Sequence, residues 1–182
     1  MNERFSVRLR KAVHVFSAGH FITLTDDLCE AVHGHNWTVG ADVEGRPDRH
    51  GMVIDFIKLR DLLSQIVLQL DHRMLLPTKN RLLDVSTAMG PALGGPAIAG
   101  PAIAGTSGRP EVTVRFKDRR WVFPADECQL LPIENTTAEW LAGWIGRELR
   151  DAMAAAGSPI TGCLRIEVDE CLGQSALWES AT

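Results

Sequence analysis

The chain reads as an α+β domain built on a largely antiparallel sheet. Three observations predict it. Several segments alternate strictly between apolar and polar residues, as strands with one covered face do; two others carry apolar residues at helical spacing; and the order of elements is strand, strand, helix, inserted hairpin, helix, strand, without the regular β–α alternation of a doubly wound fold. The 182 residues, 45% hydrophobic and 23% charged, suffice for one globular domain with a real core.

Taken in order, Phe5, Val7 and Leu9 alternate with Ser6, Arg8 and Arg10, and the pattern resumes through Val13 and Val15, so Arg4 to Ser17 is expected to form one long half-buried strand. Asn36 to Glu44 alternates as strictly, with Trp37, Val39, Ala41 and Val43 on one face. Phe56, Leu59, Leu62, Leu63, Ile66, Val67 and Leu70 recur at helical spacing behind Asp55, a good N-cap. Ser86 to Gly108 carries no charge and contains the tandem GPAIAGPAIAG; it is expected to form an exposed loop rather than to bury a core. Glu111 to Phe116 and Arg120 to Phe123, around Lys117-Asp118-Arg119, predict a hairpin. Thr136 to Ala156 is a second helix, with Thr136-x-x-Glu139 matching a capping box, and Cys163 to Glu170 is a third long strand.

Charge narrows the partners. Nineteen Lys and Arg against 23 Asp and Glu leave a formal −4, which argues against nucleic acid or an anionic membrane as partner. Met1 to Arg10 lacks an apolar signal region, so a cytoplasmic location is expected, and the prolines and glycines of residues 85–108 exclude a membrane helix there. Four dispersed cysteines without a CxxC pair read as free thiols.

The histidines carry the chemistry. His33 and His35, one residue apart on a strand, point the same way, a spacing that suits two ligands of one metal, and His20 in FSAGH is available as a third; catalytic zinc takes three protein ligands and keeps a fourth position open. Two strand-edge histidines satisfied by backbone or water are the plain alternative. Cys29, four residues before His33, is either a small buried hydrophobe or a thiol acidified by a nearby metal. Asp71 and His72 end the first helix as a solvated pair or as a proton relay. Glu170 shares parity with Leu164, Ile166 and Val168, which aims a carboxylate at the covered face, where it needs a partner; the alternative is a strand that frays at Asp169.

Together FSAGH, CEAVHGHN, GMVIDF, LDHRMLL, PIENTTAEWLA and VDECLGQSALW resemble the family of 6-pyruvoyltetrahydropterin and 6-carboxytetrahydropterin synthases. The resemblance covers most of the chain outside Pro77 to Leu131. It implies a single T-fold domain, a four-stranded antiparallel sheet with two helices on one face, here over residues 1–182 with an insertion at about 77–131. It implies a homo-oligomer, a hexamer of two trimers with active sites at subunit boundaries. It implies Zn2+ on His20, His33 and His35, with Cys29, Asp71 and His72 catalytic and Thr137, Glu139 and Glu170 binding a small-molecule pterin. The implied reaction converts 7,8-dihydroneopterin triphosphate to 6-carboxytetrahydropterin, acetaldehyde and triphosphate for deazapurine (queuosine-type) synthesis. Three departures qualify it. Glu30 beside Cys29 matches a branch that uses a glutamate near this position to make 6-hydroxymethyl-dihydropterin for folate synthesis; the insertion is long; and Cys171 follows Glu170 where threonine is common. The alternatives are therefore 6-pyruvoyltetrahydropterin formation, Glu30-assisted cleavage and, more distantly, a non-catalytic pterin-binding oligomer.

Overall fold

The computed structural model describes residues 3–91, 108–171 and 173–181. Its spine is a thirteen-residue strand, His33–Gly45, long enough for two strands to share one of its edges. In chain order β1 (Phe5–Leu9), β2 (Val15–His20) and β3 (His33–Gly45) form this part: β2 pairs antiparallel with the first half of β3 and β1 with the second. Helix α1 (Phe56–Leu70) follows, then β4 (Arg73–Pro77), which pairs parallel with β2. After an inserted sheet of β5 (Asp84–Met89), β6 (Pro110–Phe116) and β7 (Arg119–Pro124), a 3-10 turn leads to β8 (Cys128–Leu131), parallel to β4. Helix α2 (Ala138–Ala155), β9 (Cys163–Cys171) and β10 (Gln174–Ser180) complete the chain, with β9 on the remaining edge of β3 and β10 outside it. The main sheet thus has seven strands, not four: β4, β8 and β10 are short or irregularly patterned and gave no alternation to read.

The α+β expectation holds, with both helices on one face. Asp55 caps α1, its Oδ1 accepting from the N–H groups of Ile57 and Lys58 at 2.9 and 3.1 Å. Leu59, Leu63, Ile66, Val67 and Leu70 of α1 meet Leu141, Ile145, Leu149 and Met153 of α2 and the inward residues of the sheet in one core. Burying each such side chain contributes about 1.5–3 kcal/mol. The ring of Trp178 rests on Gly146 of α2, where a Cβ would come within 2.2 Å of it.

Several local expectations are corrected. Arg4 to Ser17 is two strands because the inward parity changes across the turn at residues 11–14: Val7 and Leu9 face in from β1, but Phe16, Ala18 and His20 do so from β2, leaving Val13 and Val15 exposed. The residue capping α2 is Thr137, whose Oγ1 accepts from Trp140 N; Thr136 is fully buried and donates instead to Phe21 O, so no capping box with Glu139 forms. Residues 86–89 belong to β5 rather than to a loop, and β5 extends the expected hairpin into a three-stranded sheet. The GPAIAGPAIAG tandem, Gly95–Gly105, lies outside the described residues. Of residues 77–131, Cys128–Leu131 form β8 of the main sheet, parallel to β4. No helix among the described residues is long and apolar enough to cross a membrane.

Candidate active site

The inward face of the main sheet does not stay apolar to its end. Along β2 it runs Phe16, Ala18, His20; along β3, in reverse, Val39, Trp37, His35, His33; along β9, Ile166, Val168, Glu170. Register pairs His20 with His33 and Phe16 with Trp37, so strand periodicity alone gathers the polar groups at one end of the core. The rings of His20, His33 and His35 lie 4.5–5.2 Å apart, centroid to centroid, and Trp37 forms their floor, edge-on to His20 at 5.0 Å and to His35 at 5.4 Å. Glu170 Oε1 is 3.4 Å from His20 Nε2 and 3.2 Å from His35 Nε2. The strand therefore does not fray at Asp169, and the parity of Glu170 is realised.

This arrangement fits a cation. His20 is 1% exposed, and burial pulls its pKa down to about 4, so the ring is neutral at pH 7. Its Nδ1–H donates to Thr136 O at 2.9 Å, which leaves the Nε2 lone pair directed at a carboxylate oxygen. His33 is held the same way, Nδ1 to Ala31 O at 2.9 Å. The Nε2 atoms of His20 and His35 are shielded from solvent and have no hydrogen-bond partner; their distances to Glu170 are those of an ion pair, but the geometry is not that of a hydrogen bond. The lone pair of the neutral His20 imidazole and the Glu170 carboxylate repel unless a positive charge sits between them. The ligating atoms of His20, His33, His35 and Glu170 all lie within 4.8 Å of one another, and backbone carbonyls fixing the remote ring nitrogen are the usual outer support of a metal-bound histidine.

Asp71 and His72 occupy a different setting. Asp71, which ends α1, accepts from Ser17 N at 2.8 Å through Oδ1 and from His72 Nδ1 at 2.9 Å through Oδ2; the Ser17 amide first, then His72, holds its carboxyl below the usual carboxylate value. His72 has φ of +55°, a left-handed backbone that a non-glycine residue keeps only when its surroundings enforce it; here His72 N donates to Ser17 O at 2.7 Å. Its side chain is 82% exposed and opens onto a groove of about 480 Å3 that it shares with His35, Asn36 and Phe123. Thr137, Glu139 and Glu170 line another hollow of about 310 Å3 with Ile22, Gln174 and Ala176. The cluster thus borders two recesses, His35 lining the one onto which His72 opens and Glu170 lining the one that Thr137 and Glu139 share.

Cys29 and its neighbour part company. Cys29 is buried in a second apolar cluster with Phe21, Met74, Leu76, Val112, Val114 and Phe116, and burial pushes its thiol up, only partly offset by Arg119. The acidified thiol expected from a nearby metal is not what the chain alone produces. Glu30 instead turns toward the cluster, its Oε2 4.0 Å from His33 Nε2. Sequence reasoning missed three contributors: the Thr136 carbonyl, the Trp37 floor, and Arg119, whose Nη1 and Nη2 donate to the carbonyls of Cys29 and Glu30 at 2.6 and 3.0 Å. Trp37 lies on the same parity as the histidines and was findable; Arg119 is ninety residues away from Cys29 and nothing local signals it.

The chain is similar to known proteins in sequence and in fold. The family described as 6-pyruvoyl tetrahydropterin synthase matches residues 9–180. A Pyrococcus horikoshii protein named "Putative 6-carboxy-5,6,7,8-tetrahydropterin synthase" is 28% identical over 138 residues, 75% of this chain and 69% of that one. A Pyrococcus furiosus dihydroneopterin monophosphate aldolase is 35% identical over 78 residues, 43% of this chain and 62% of its own. The structure of Plasmodium falciparum 6-pyruvoyl tetrahydropterin synthase superposes with a TM-score of 0.79 at 22% identity, covering all of both chains. A Plasmodium vivax 6-pyruvoyltetrahydropterin synthase, solved as a mutant in which a catalytic glutamate is replaced by alanine, does so with a TM-score of 0.78 at 19% identity, again over both whole chains. These likenesses establish the T-fold for this chain.

Proposed function

The chain belongs to the 6-pyruvoyl tetrahydropterin synthase family, and from that premise we propose that it is a zinc-dependent lyase acting on the side chain of 7,8-dihydroneopterin triphosphate. The observation that carries the reading is the convergence of three imidazoles and one carboxylate on a point at the end of the core. His20, His33 and His35 would hold the zinc, which when bound supplies a Lewis acid for the substrate's side-chain hydroxyls. Glu170 anchors the pterin by accepting from adjacent ring N–H groups, a pairing that neutral donors satisfy without a buried charge being left alone. Thr137 and Glu139, at the start of α2, line the same recess. Asp71 orients His72, so that the exposed imidazole can exchange a proton with the side chain of the substrate. The product on this reading is 6-carboxytetrahydropterin, with acetaldehyde and triphosphate released and Cys29 as the base, in a cytoplasmic deazapurine (queuosine-type) route. The working form is a hexamer of two trimers.

One observation favours a second reading. Glu30 faces His33 while the Cys29 thiol is buried, which supports Glu30 as the base in cleavage to 6-hydroxymethyl-dihydropterin. The aldolase relative and the Plasmodium enzyme's catalytic glutamate point the same way. Mass analysis of the pterin formed from 7,8-dihydroneopterin triphosphate by wild type, Cys29→Ala and Glu30→Gln separates the two. Survival of turnover in Cys29→Ala with its loss in Glu30→Gln selects the glutamate; the converse selects the thiol; no turnover by the zinc-loaded wild type rejects both.

A further inference from the structure

The inserted β5–β7 sheet is packed directly onto the Cys29–Glu30 segment. Val112, Val114 and Phe116 of β6 share the apolar cluster that encloses Cys29, and at the β6–β7 turn Lys117 pairs with Asp27. Arg119, the first residue of β7, is half-buried. Its two terminal nitrogens bridge consecutive carbonyls, those of Cys29 and Glu30, and its guanidinium lies 4.6 Å from the centre of the Trp121 ring. Trp121 in turn stacks on Phe21 at 4.7 Å, the residue after His20. A continuous frame therefore runs from the insertion to a histidine of the candidate metal centre.

We propose that Arg119 is a positioning residue that locks the Cys29–Glu30 segment with Glu30 toward His33 and Cys29 in the apolar cluster, and so sets the ratio of products; the inference rests on the lyase reading above. Adjacent residues in extended chain point to opposite sides. Consecutive carbonyls do so too, so a rigid planar fork that holds both fixes the rotation of the segment between them. The remaining local ties, Glu30 N to Ile22 O at 3.0 Å and the isolated bridge between Thr23 and Cys29, fix where the segment lies but hold only one side of it. Without the fork the segment can rotate, which withdraws the carboxylate from His33 and brings the thiol out.

The test compares the full-length, zinc-loaded wild type with Arg119→Met, Arg119→Lys and, as a control, Arg120→Met, whose side chain is exposed one residue further along β7. In Arg119→Met the ratio of 6-hydroxymethyl-dihydropterin to 6-carboxytetrahydropterin is expected to fall severalfold, and kcat for the former by about tenfold with KM little changed, the scale set by misplacing a catalytic group by a fraction of an ångström to one ångström. Arg119→Lys, able to reach one carbonyl at a time, is expected to recover part of both, and Arg120→Met to match wild type. A second readout does not depend on turnover. Amide hydrogen exchange across residues 28–32 is expected to quicken in Arg119→Met while the melting temperature stays near that of wild type. An unchanged product ratio with unchanged exchange overturns the proposal. If wild type makes no pterin product, the lyase reading fails on its own, and unchanged exchange at residues 28–32 still decides against Arg119.

Discussion

Glu170 and the three histidines share a point in space because they lie at one end of the covered face, His20 and Glu170 as the last inward residues of β2 and β9 and His33 and His35 as the first two of β3, and each position has a separable role. His20→Ala removes a proposed zinc ligand whose orientation the Thr136 carbonyl already fixes. The expected result is loss of stoichiometric zinc in metal analysis, at a cost in affinity beyond the roughly 10- to 100-fold seen when only an outer partner of a ligand is removed. Glu170→Gln is expected to keep its zinc on the three imidazoles while KM for the pterin rises about tenfold, through loss of one charge-assisted hydrogen-bond pair. Zinc lost along with Glu170 would instead make it a ligand. Asp71→Asn removes the carboxylate that orients His72, and kcat is expected to drop by about a hundredfold or more. Its pH behaviour is a separate check. Because the folded Asp71 sits below its ordinary value of 3.8, its stabilising contribution is fully present above that value and is lost as the pH falls through the lower folded pKa. Asp71→Asn should accordingly be less sensitive than wild type in acid denaturation below pH 4.

Among the elements, α2 shows how a helix start is chosen by packing as well as by pattern. The capping-box spacing points to Thr136, but its hydroxyl donates to Phe21 O inside the core, and Thr137 becomes the cap. Thr137→Ala is expected to cost about 1 kcal/mol in denaturant unfolding. Mid-helix, Gly146→Ala should cost about 1–3 kcal/mol despite alanine's better helix propensity, because the added methyl overlaps the Trp178 ring. Pairing it with Trp178→Leu should restore part of that loss, a coupling that propensity alone would not produce.

At the level of the whole molecule, the two recesses beside the histidine cluster are open to solvent in a single chain, and large apolar side chains stand exposed, Leu68 and Leu177 among them. The proposed hexamer would close these recesses with neighbouring subunits. Light scattering should report six chains per particle. Mixing inactive His20→Ala with inactive His72→Ala protein under conditions that exchange subunits should restore activity that neither has alone, if the relay pair of one subunit serves the metal centre of another. No recovery would place both parts in the same chain.

Read from residues alone, the chain already determines its α+β character, the cap and face of α1, the three histidines and the inward parity of Glu170, because strand and helix periods are local properties of the backbone. It does not determine where a strand changes phase, as between Leu9 and Phe16, since each half alternates equally well and only pairing against β3 selects the face. Nor does it reveal that Cys29 is enclosed and Glu30 presented, or that Arg119 holds them so. Those depend on an inserted sheet folding back across ninety residues of chain onto one turn, and contacts of that range come from packing the apolar faces of two sheets together.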